Sequence, residues 1–375
     1  MKQLFFAVIL FVGPMCGAQE RHRFEIETQT GYEYNYFKSP DQVSVDGTLL
    51  TANDLIASSA YQDVYADYDY RYKWKGHRIR VSMAPFVRLF QENMQDSYWG
   101  VDAALKYDYK CTKTTKVLAA LDFKRMDREG LDGAQDVLVN PLGYTNYGAM
   151  AGLGFEPFTN NKTVLEGFYN FKDFDAYGTR DLEFNEFGIQ LGSKQAFRPG
   201  RYQHNVGFTA YYKKRRYNTL NTEEDPQNGT RNWDYAKGTV FYELPLSATL
   251  EVEPQLAYFG RFDRLEDRSG FHQYGPGLRF RFDNDKTKVS VSLKYQIRDY
   301  TAIAAQDDLG ALEEKLRYQY TDISINFEQE SGIEGLLLTG TIYSRWRETN
   351  TTALGSRSFR GYRNYYAGVG VKWQL

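Results

Sequence analysis

The chain has 375 residues, a formal net charge of −2 and 42% apolar residues, and its 16% aromatic content includes 31 Tyr and 25 Phe. A membrane protein built from helices needs apolar runs of about 18 residues or more. The only notable apolar run, Leu4–Val12, is too short. The balance of Lys and Arg against Asp and Glu excludes a strongly basic nucleic-acid binder. The aromatic content excludes a disordered chain.

The first 18 residues are typical of a secretory signal. Lys2 supplies the positive start, Leu4–Phe11 the apolar core, and Cys16-Gly17-Ala18 the small residues before a cleavage after Ala18. A lipoprotein attached through Cys16 is the alternative, and the large Met15 before it disfavours that interpretation. Cleavage leaves Cys111 as the only cysteine, so we expect no internal disulfide despite export.

The mature chain alternates apolar and polar residues, which predicts strands with two different faces. In residues 61–74 and 98–110, every second residue is mainly Val, Ala, Leu, Tyr or Trp, and the residues between them, which have the opposite parity, are mainly Asp, Lys and Arg. These segments run for about 10–14 residues, longer than most strands of soluble proteins and long enough for a tilted crossing of a bilayer. Aromatic residues stand at the ends of the apolar faces, as they do in the girdles of membrane barrels.

Short and long connections alternate along the chain, with long ones at Lys38–Ala60 and Thr301–Leu316 and short ones at Lys75–His77 and Asp283–Asp285. Short turns at one rim and long loops at the other are typical of an up-and-down membrane barrel. The sequence therefore predicts an all-β, transmembrane antiparallel barrel of about 16 strands (range about 14–18) over residues 19–375, with periplasmic turns and extracellular loops. Because lipid leaves no partner for an open sheet edge, we expect the last strand to pair with the first.

The C-terminal strand carries a resemblance to a known family. Tyr365, Val369, Val371 and Trp373 share one parity of an aromatic-rich terminal strand, and the chain ends at Leu375 where Phe is common. With the signal and the alternating hairpins, this strand resembles those of bacterial outer-membrane β-barrel proteins. The resemblance implies residence in the outer membrane, contact with its lipid and lipopolysaccharide, and recognition of the terminal strand by the barrel-assembly machinery. The Tyr content and Gln19 are similar to those of outer-membrane proteins of Bacteroidota.

Charged residues on the polar parity are the strongest indication of function. They predict a water-filled lumen and a porin-like channel for small hydrophilic solutes, with no catalytic residue and no cofactor. Ladders of ion pairs with a purely structural role are the alternative interpretation. The candidate lumen-lining residues are Arg71, Lys73, Arg78, Arg80, Arg88, Asp63, Asp67, Asp69, Asp102, Lys106 and Asp108.

A non-transporting barrel that serves an envelope complex is the second hypothesis. The loop Lys38–Ala60 is its best candidate, because a loop this apolar is poorly solvated unless it inserts into the lumen or binds a partner. Its apolar residues include Val43, Val45, Leu49, Leu50, Leu55 and Ile56. The basic run Lys213, Lys214, Arg215 and Arg216 is predicted to lie at the outer rim, where it meets lipopolysaccharide phosphates or is simply solvated.

Catalytic and metal sites are poorly supported. None of the four histidines has a sequence neighbourhood that suggests a nucleophile–base pair. An outer-membrane hydrolase is the third hypothesis and requires a cross-strand His–Asp or His–Ser cluster near a rim. We interpret Asp283–Asp285 as a tight turn rather than a metal site. Gly148, Gly152 and Gly154 form an inward strip that is expected to widen the lumen or leave space for a loop.

Overall fold

The computed structural model describes residues 22–128, 143–176, 182–217, 232–263, 270–356 and 358–375. The predicted signal segment and its cleavage site lie outside these residues. No helix in the described ranges is long and apolar enough to span a membrane.

Sixteen antiparallel strands form a closed barrel, and a separate two-stranded hairpin and a one-turn helix lie in the first long loop. This confirms the predicted fold class and strand number. The barrel strands are β1 (His22–Tyr34), β4 (Ser59–Trp74), β5 (His77–Phe90), β6 (Tyr98–Lys110), β7 (Thr115–Asp127), β8 (Tyr144–Phe155), β9 (Asn161–Phe174), β10 (Glu183–Phe197), β11 (His204–Tyr217), β12 (Asn232–Pro245), β13 (Leu250–Asp263), β14 (Phe271–Asp283), β15 (Thr287–Asp307), β16 (Gly310–Glu330), β17 (Leu336–Thr349) and β18 (Tyr362–Gln374). The loop elements are β2 (Gln42–Val45), β3 (Thr48–Thr51) and α1 (Ala52–Leu55), and a 3₁₀ turn spans Met94–Asp96.

The barrel closes where the first strand pairs with the last. β1 lies between β4 and β18, and its register sets Ile26 opposite Trp373 and Tyr34 opposite Tyr365. The predicted closure is thus confirmed, and the terminal-strand residues Val369, Val371 and Trp373 face outward beside the apolar face of β1.

The two faces of the barrel wall differ in polarity. Because successive side chains of a strand point to opposite sides, Met83, Leu121 and Ile189 stand exposed on the outside, each more than 45% accessible. On the inside, Asp63 and Asp69 are 1% and 2% accessible. An apolar exterior around a closed, hydrogen-bonded sheet is what a membrane-spanning barrel requires.

The two rims carry different connections. At one rim, the short-turn end, hairpins close through residues such as Lys75-Gly76, whose φ angles are +37° and +87°. The predicted Asp283–Asp285 turn lies there too, and the Thr287 amide donates to Asn284 Oδ1 at 2.8 Å. At the other rim, the long-loop end, are the longer connections between strands. β1 begins, and β18 ends, at the short-turn end.

The predicted long loop Thr301–Leu316 is wrong in extent, because most of it continues the β15–β16 hairpin. Ala304 pairs with Lys315, and Asp307 pairs with Gly310, beyond a register shift that follows Asp299. That irregularity interrupts the apolar–polar alternation on which the prediction depended. The loop between β17 and β18 stabilises this extended part of the hairpin, since the Thr352 amide donates to the Gln306 carbonyl at 2.8 Å.

The first long loop folds against the inner wall at its base. Tyr36 packs on Phe90 with ring centroids 4.4 Å apart, and its hydroxyl donates to Asp96 at 2.6 Å. Burial and this bond raise the pKa of Tyr36. Farther along, the Ser44 amide donates to the Leu354 carbonyl at 3.0 Å, and Leu55 is buried. The base of the loop therefore packs on the inner wall, while β2 and β3 lie beside the loop between β17 and β18.

Candidate functional site

The predicted lumen-lining residues share the inner parity of β4, β5 and β6, and they separate into two groups along the barrel axis. Near the long-loop end, Arg88 binds Asp63. Near the short-turn end, Asp69 binds Arg71 at 3.0 Å and also binds Arg80. Between these groups, Lys124 of β7 reaches Asp102 at 3.0 Å. The inner wall of these strands therefore changes character from one end to the other.

The group near the long-loop end is buried and charge-paired. Arg88 donates to Asp63 and to Glu33, and its guanidinium lies 4.4 Å from the centroid of Tyr61. Asn364 donates to Glu33 at 3.2 Å. Tyr61 lies across the inner surface of the β1–β18 seam, where a Cβ added at Gly368 would be 2.3 Å from the Tyr61 hydroxyl. The close approach of this ring requires glycine there.

An inner aromatic belt, which the sequence interpretation missed, lines the lumen towards the long-loop end. Successive ring contacts of 5.2–6.3 Å run from β8 to β16, and arginines stack on these rings. Arg215 lies 4.1 Å from Phe184, and Arg298 lies 4.3 Å from Phe271. The members of the belt are Tyr144, Phe174, Phe184, Tyr217, Trp233, Tyr235, Phe259, Phe271, Tyr300, Tyr318 and Tyr320.

The belt was missed because the aromatics were assigned to lipid contact. The alternation of faces along each strand could have indicated the belt. Tyr235 lies on the same face as Lys237, and Phe271 lies on the same face as Gln273. Five of its eleven rings, including those of Phe184, Tyr235 and Phe271, are buried and are therefore not free platforms for a solute. The belt therefore narrows the lumen with packed side chains.

The predicted outer-rim basic run is split by strand alternation, which corrects the expectation that its four residues act together. Lys213 and Arg215 point into the barrel and bind Glu186 at 3.0 and 2.5 Å. Lys214 and Arg216 point outward, and Arg216 lies 5.3 Å from the Phe187 ring. Successive residues in a strand cannot share a face, so only these two remain candidates for contact with lipopolysaccharide.

Among the described residues, side chains rather than a loop lie against the inward glycine strip of β8. A Cβ added at Gly148 would clash with the carboxylate of Asp122, and one at Gly154 would clash with Lys116. The space that the glycines provide is thus occupied by charged side chains of the neighbouring strand, which lie flat against the wall.

A cluster of cations, here called the basic pocket, lies on the inner wall in the short-turn half. It is a cavity of about 300 Å³ lined by Arg71, Lys73, Arg78, Arg80, Lys106 and Asp108. Arg78 binds Asp108 at 2.8 Å. In the described part of the chain, Lys73 and Lys106 have no ion pair with a carboxylate.

The basic pocket adjoins a larger cavity at the short-turn end. This cavity measures about 630 Å³ and shares Lys73, Arg78 and Asp108 with the pocket. Its other charged lining residues are Lys75, Lys110, Lys113, Lys116, Glu156 and Lys162. Cations therefore outnumber acids among the residues that line this cavity.

All four histidines lie on the outer face, where each Nδ1 atom is within 2.9 Å of a tyrosine hydroxyl: His22 with Tyr68, His77 with Tyr107, His204 with Tyr242 and His272 with Tyr258. The register sets Asp299 opposite His272. The Asp299 carboxylate nevertheless binds Arg317 at 2.6 Å and Tyr274 at 3.0 Å. These contacts are those of interfacial anchors. Across the described ranges, no three His, Cys, Asp or Glu residues converge as metal ligands.

No protein-family model matches the chain, and no curated protein matches it. Among solved structures, OccK9 (OpdG) of Pseudomonas aeruginosa is similar at 10% identity and a TM-score of 0.46, over 94% of this chain and 98% of that one. The outer membrane protein opdK of the same species has 10% identity and a TM-score of 0.42, over 94% and 99%. The siderophore receptor PirA of that species has 10% identity and a TM-score of 0.42, over 95% and 80%. At such distances, the function of this chain has to be inferred from its own geometry.

Proposed function

We propose that the protein is an outer-membrane channel that passes small hydrophilic solutes through the barrel. The observation that carries the proposal is the charge-lined cavity of about 630 Å³ at the short-turn end. A barrel of about 16 strands is wider than side chains alone fill. The short-turn end is the periplasmic end in this proposal, because barrels of this class have short periplasmic turns.

The uneven pairing of the inner charges favours a channel over a purely structural ladder. A ladder gains stability only when opposite charges meet. Arg88 and Asp63 satisfy that condition near the long-loop end, whereas Lys73 and Lys106 form no ion pair with a carboxylate among the described residues. Cations without partners stay hydrated, so they support a water-filled path.

The inner aromatic belt and the base of the first long loop would then form the narrow part of the channel. Both lie towards the long-loop end, where Glu186 holds Arg215 of the belt, and Asp63 and Glu33 hold Arg88. A constriction lined with fixed charges selects solutes by size and polarity.

Single-channel recording in planar bilayers tests the proposal. We expect discrete conductance steps from purified protein that shows the heat-dependent gel mobility of a folded barrel. Folded protein that inserts into the bilayer and passes no current would contradict a channel.

A second candidate, an interaction barrel, is favoured by exposed apolar residues in the long loops. Leu309 at the tip of the β15–β16 hairpin is 97% accessible, and Leu49 in the first long loop is 53% accessible. Deleting residues 42–57 would then abolish co-purification of a partner after mild detergent extraction without changing conductance. If the deletion leaves conductance full and no co-purifying protein is lost, this candidate is removed.

A further inference from the structure

We propose that the basic pocket binds a polyvalent oxyanion, of the phosphate or polycarboxylate class, and makes the channel anion-selective. This inference rests on the proposed channel for its transport consequence. The binding site itself stands on the geometry of β4, β5 and β6.

Like charges face each other across strands in the pocket. The register sets Arg71 opposite Arg80 and Lys73 opposite Arg78 on the β4–β5 pair, and Arg80 opposite Lys106 on the β5–β6 pair. Like charges directly opposite each other destabilise a sheet. Three such pairings in one patch therefore need a counter-charge.

Carboxylates of the protein form ion pairs with only part of these cations. Asp69 is shared by Arg71 and Arg80, and Asp108 is bound by Arg78. Within the described ranges, Lys73 and Lys106 form no ion pair with a carboxylate, and Asp122 acts on Lys106 only electrostatically. The Arg80 Nε atom is buried and also lacks a hydrogen-bond partner in that part of the chain. A ligand that carries several acceptor oxygens would supply the missing negative charge and would also accept a hydrogen bond from the Arg80 Nε atom.

The geometry favours an oxyanion over a halide. Guanidinium groups bind phosphate and carboxylate by paired N–H donors, and lysine adds a point charge. A cavity of about 300 Å³ accommodates one such group with some of its water. The adjoining larger cavity, with Lys110, Lys116 and Lys162 among its lining residues, would attract anions from the short-turn end.

Equilibrium dialysis of inorganic phosphate against the whole protein in detergent tests binding without requiring conduction. We expect the double variant Lys73→Gln/Lys106→Gln to lose phosphate affinity at least about tenfold. The matched control is Lys288→Gln, an exposed inward lysine of β15 that is 3.9 Å from Asp283. Equal phosphate binding by the wild type and the double variant would overturn the site. If the double variant does not fold, Lys106→Gln alone is measured against the same control.

The reversal potential across a tenfold KCl gradient tests the transport consequence. We expect the wild type and Lys288→Gln to prefer chloride, and the double variant to move towards potassium. If the wild type conducts without preferring anions, the inferred selectivity is overturned, but the proposed channel function is not. Phosphate binding without any conduction overturns the channel while the site stands.

Discussion

The guanidinium of Arg88 holds the carboxylate of Asp63 through two contacts of 2.7 and 2.6 Å, on the inner wall at the long-loop end. A third contact of 2.7 Å reaches Glu33. Asp63 is 1% accessible, so one arginine compensates two carboxylates that have lost most of their water.

Replacing Arg88 should therefore destabilise the barrel strongly. Removing one partner of a buried ion pair costs about 3–5 kcal/mol, and we expect Arg88→Met to approach this loss in the free energy of unfolding. Urea unfolding in detergent micelles, followed by tryptophan fluorescence, measures it. Lys288→Met is the control, because an exposed pair contributes about 0–1 kcal/mol. Equal effects of the two variants would show that burial does not determine the strength of the Arg88 contact.

The split of the basic run gives a matched test within four residues. Lys213→Gln/Arg215→Gln should lower the unfolding temperature, because Glu186, which is 5% accessible, loses both of its cations. Lys214→Gln/Arg216→Gln removes the same charge from the outer face and should leave that temperature nearly unchanged. A larger loss from the outer pair would contradict the assigned parity of β11.

The seam between the first and last strands depends on glycine. Gly31→Ala should lower the unfolding temperature, because the new Cβ would lie 2.1 Å from the Ala367 carbonyl oxygen. Gly238→Ala, on β12, meets nothing within 4 Å and serves as the control. Heat-dependent gel mobility of the two variants compares them directly, and indistinguishable curves would argue against the close packing of the seam.

Acid should loosen the start of β4. The Ser59 hydroxyl donates to Glu92 and holds the pKa of that carboxyl below its usual range. The Ala60 amide donates to the same carboxylate at 2.7 Å. A depressed pKa means that this stabilisation is present above the ordinary glutamate pKa and is lost as pH falls through the folded value. Hydrogen exchange measures this effect once the rates are corrected for intrinsic exchange. The Ala60 amide should lose protection in acid in the wild type, whereas its protection in Glu92→Gln should depend little on pH.

The sequence predicted the architecture because the lipid imposes a simple rule. Alternation between Asp63 and Val64, repeated along each strand, suffices to assign faces when the exterior must be apolar. The same rule failed at Thr301–Leu316, where a register shift breaks the alternation. The prediction for the basic run also failed at Lys213 and Arg215. Because all four residues of the run are basic, its composition does not show that alternate residues point to opposite faces.

The candidate site was predicted only in part. All the proposed lumen residues share the inner parity, but no sequence pattern shows which cations find a carboxylate. That depends on register, which places Arg71 opposite Arg80 and gives Arg88 two acids. The inner aromatic belt likewise depends on the register between neighbouring strands, as in the contact of Tyr217 on β11 with Trp233 on β12.

Accessibility of alternate β5 residues to a charged, water-soluble thiol reagent tests the central claim, a lipid-facing exterior around a wet interior. The background is Cys111→Ser, which removes the one cysteine of the described residues, a free and exposed side chain. Ser82→Cys lies on the inner face and Met83→Cys on the outer face, where Met83 is 49% accessible. In vesicles, we predict rapid reaction at position 82, with a drop in channel current, and none at position 83. Equal reaction at both positions, or reaction at position 83 alone, would contradict the account.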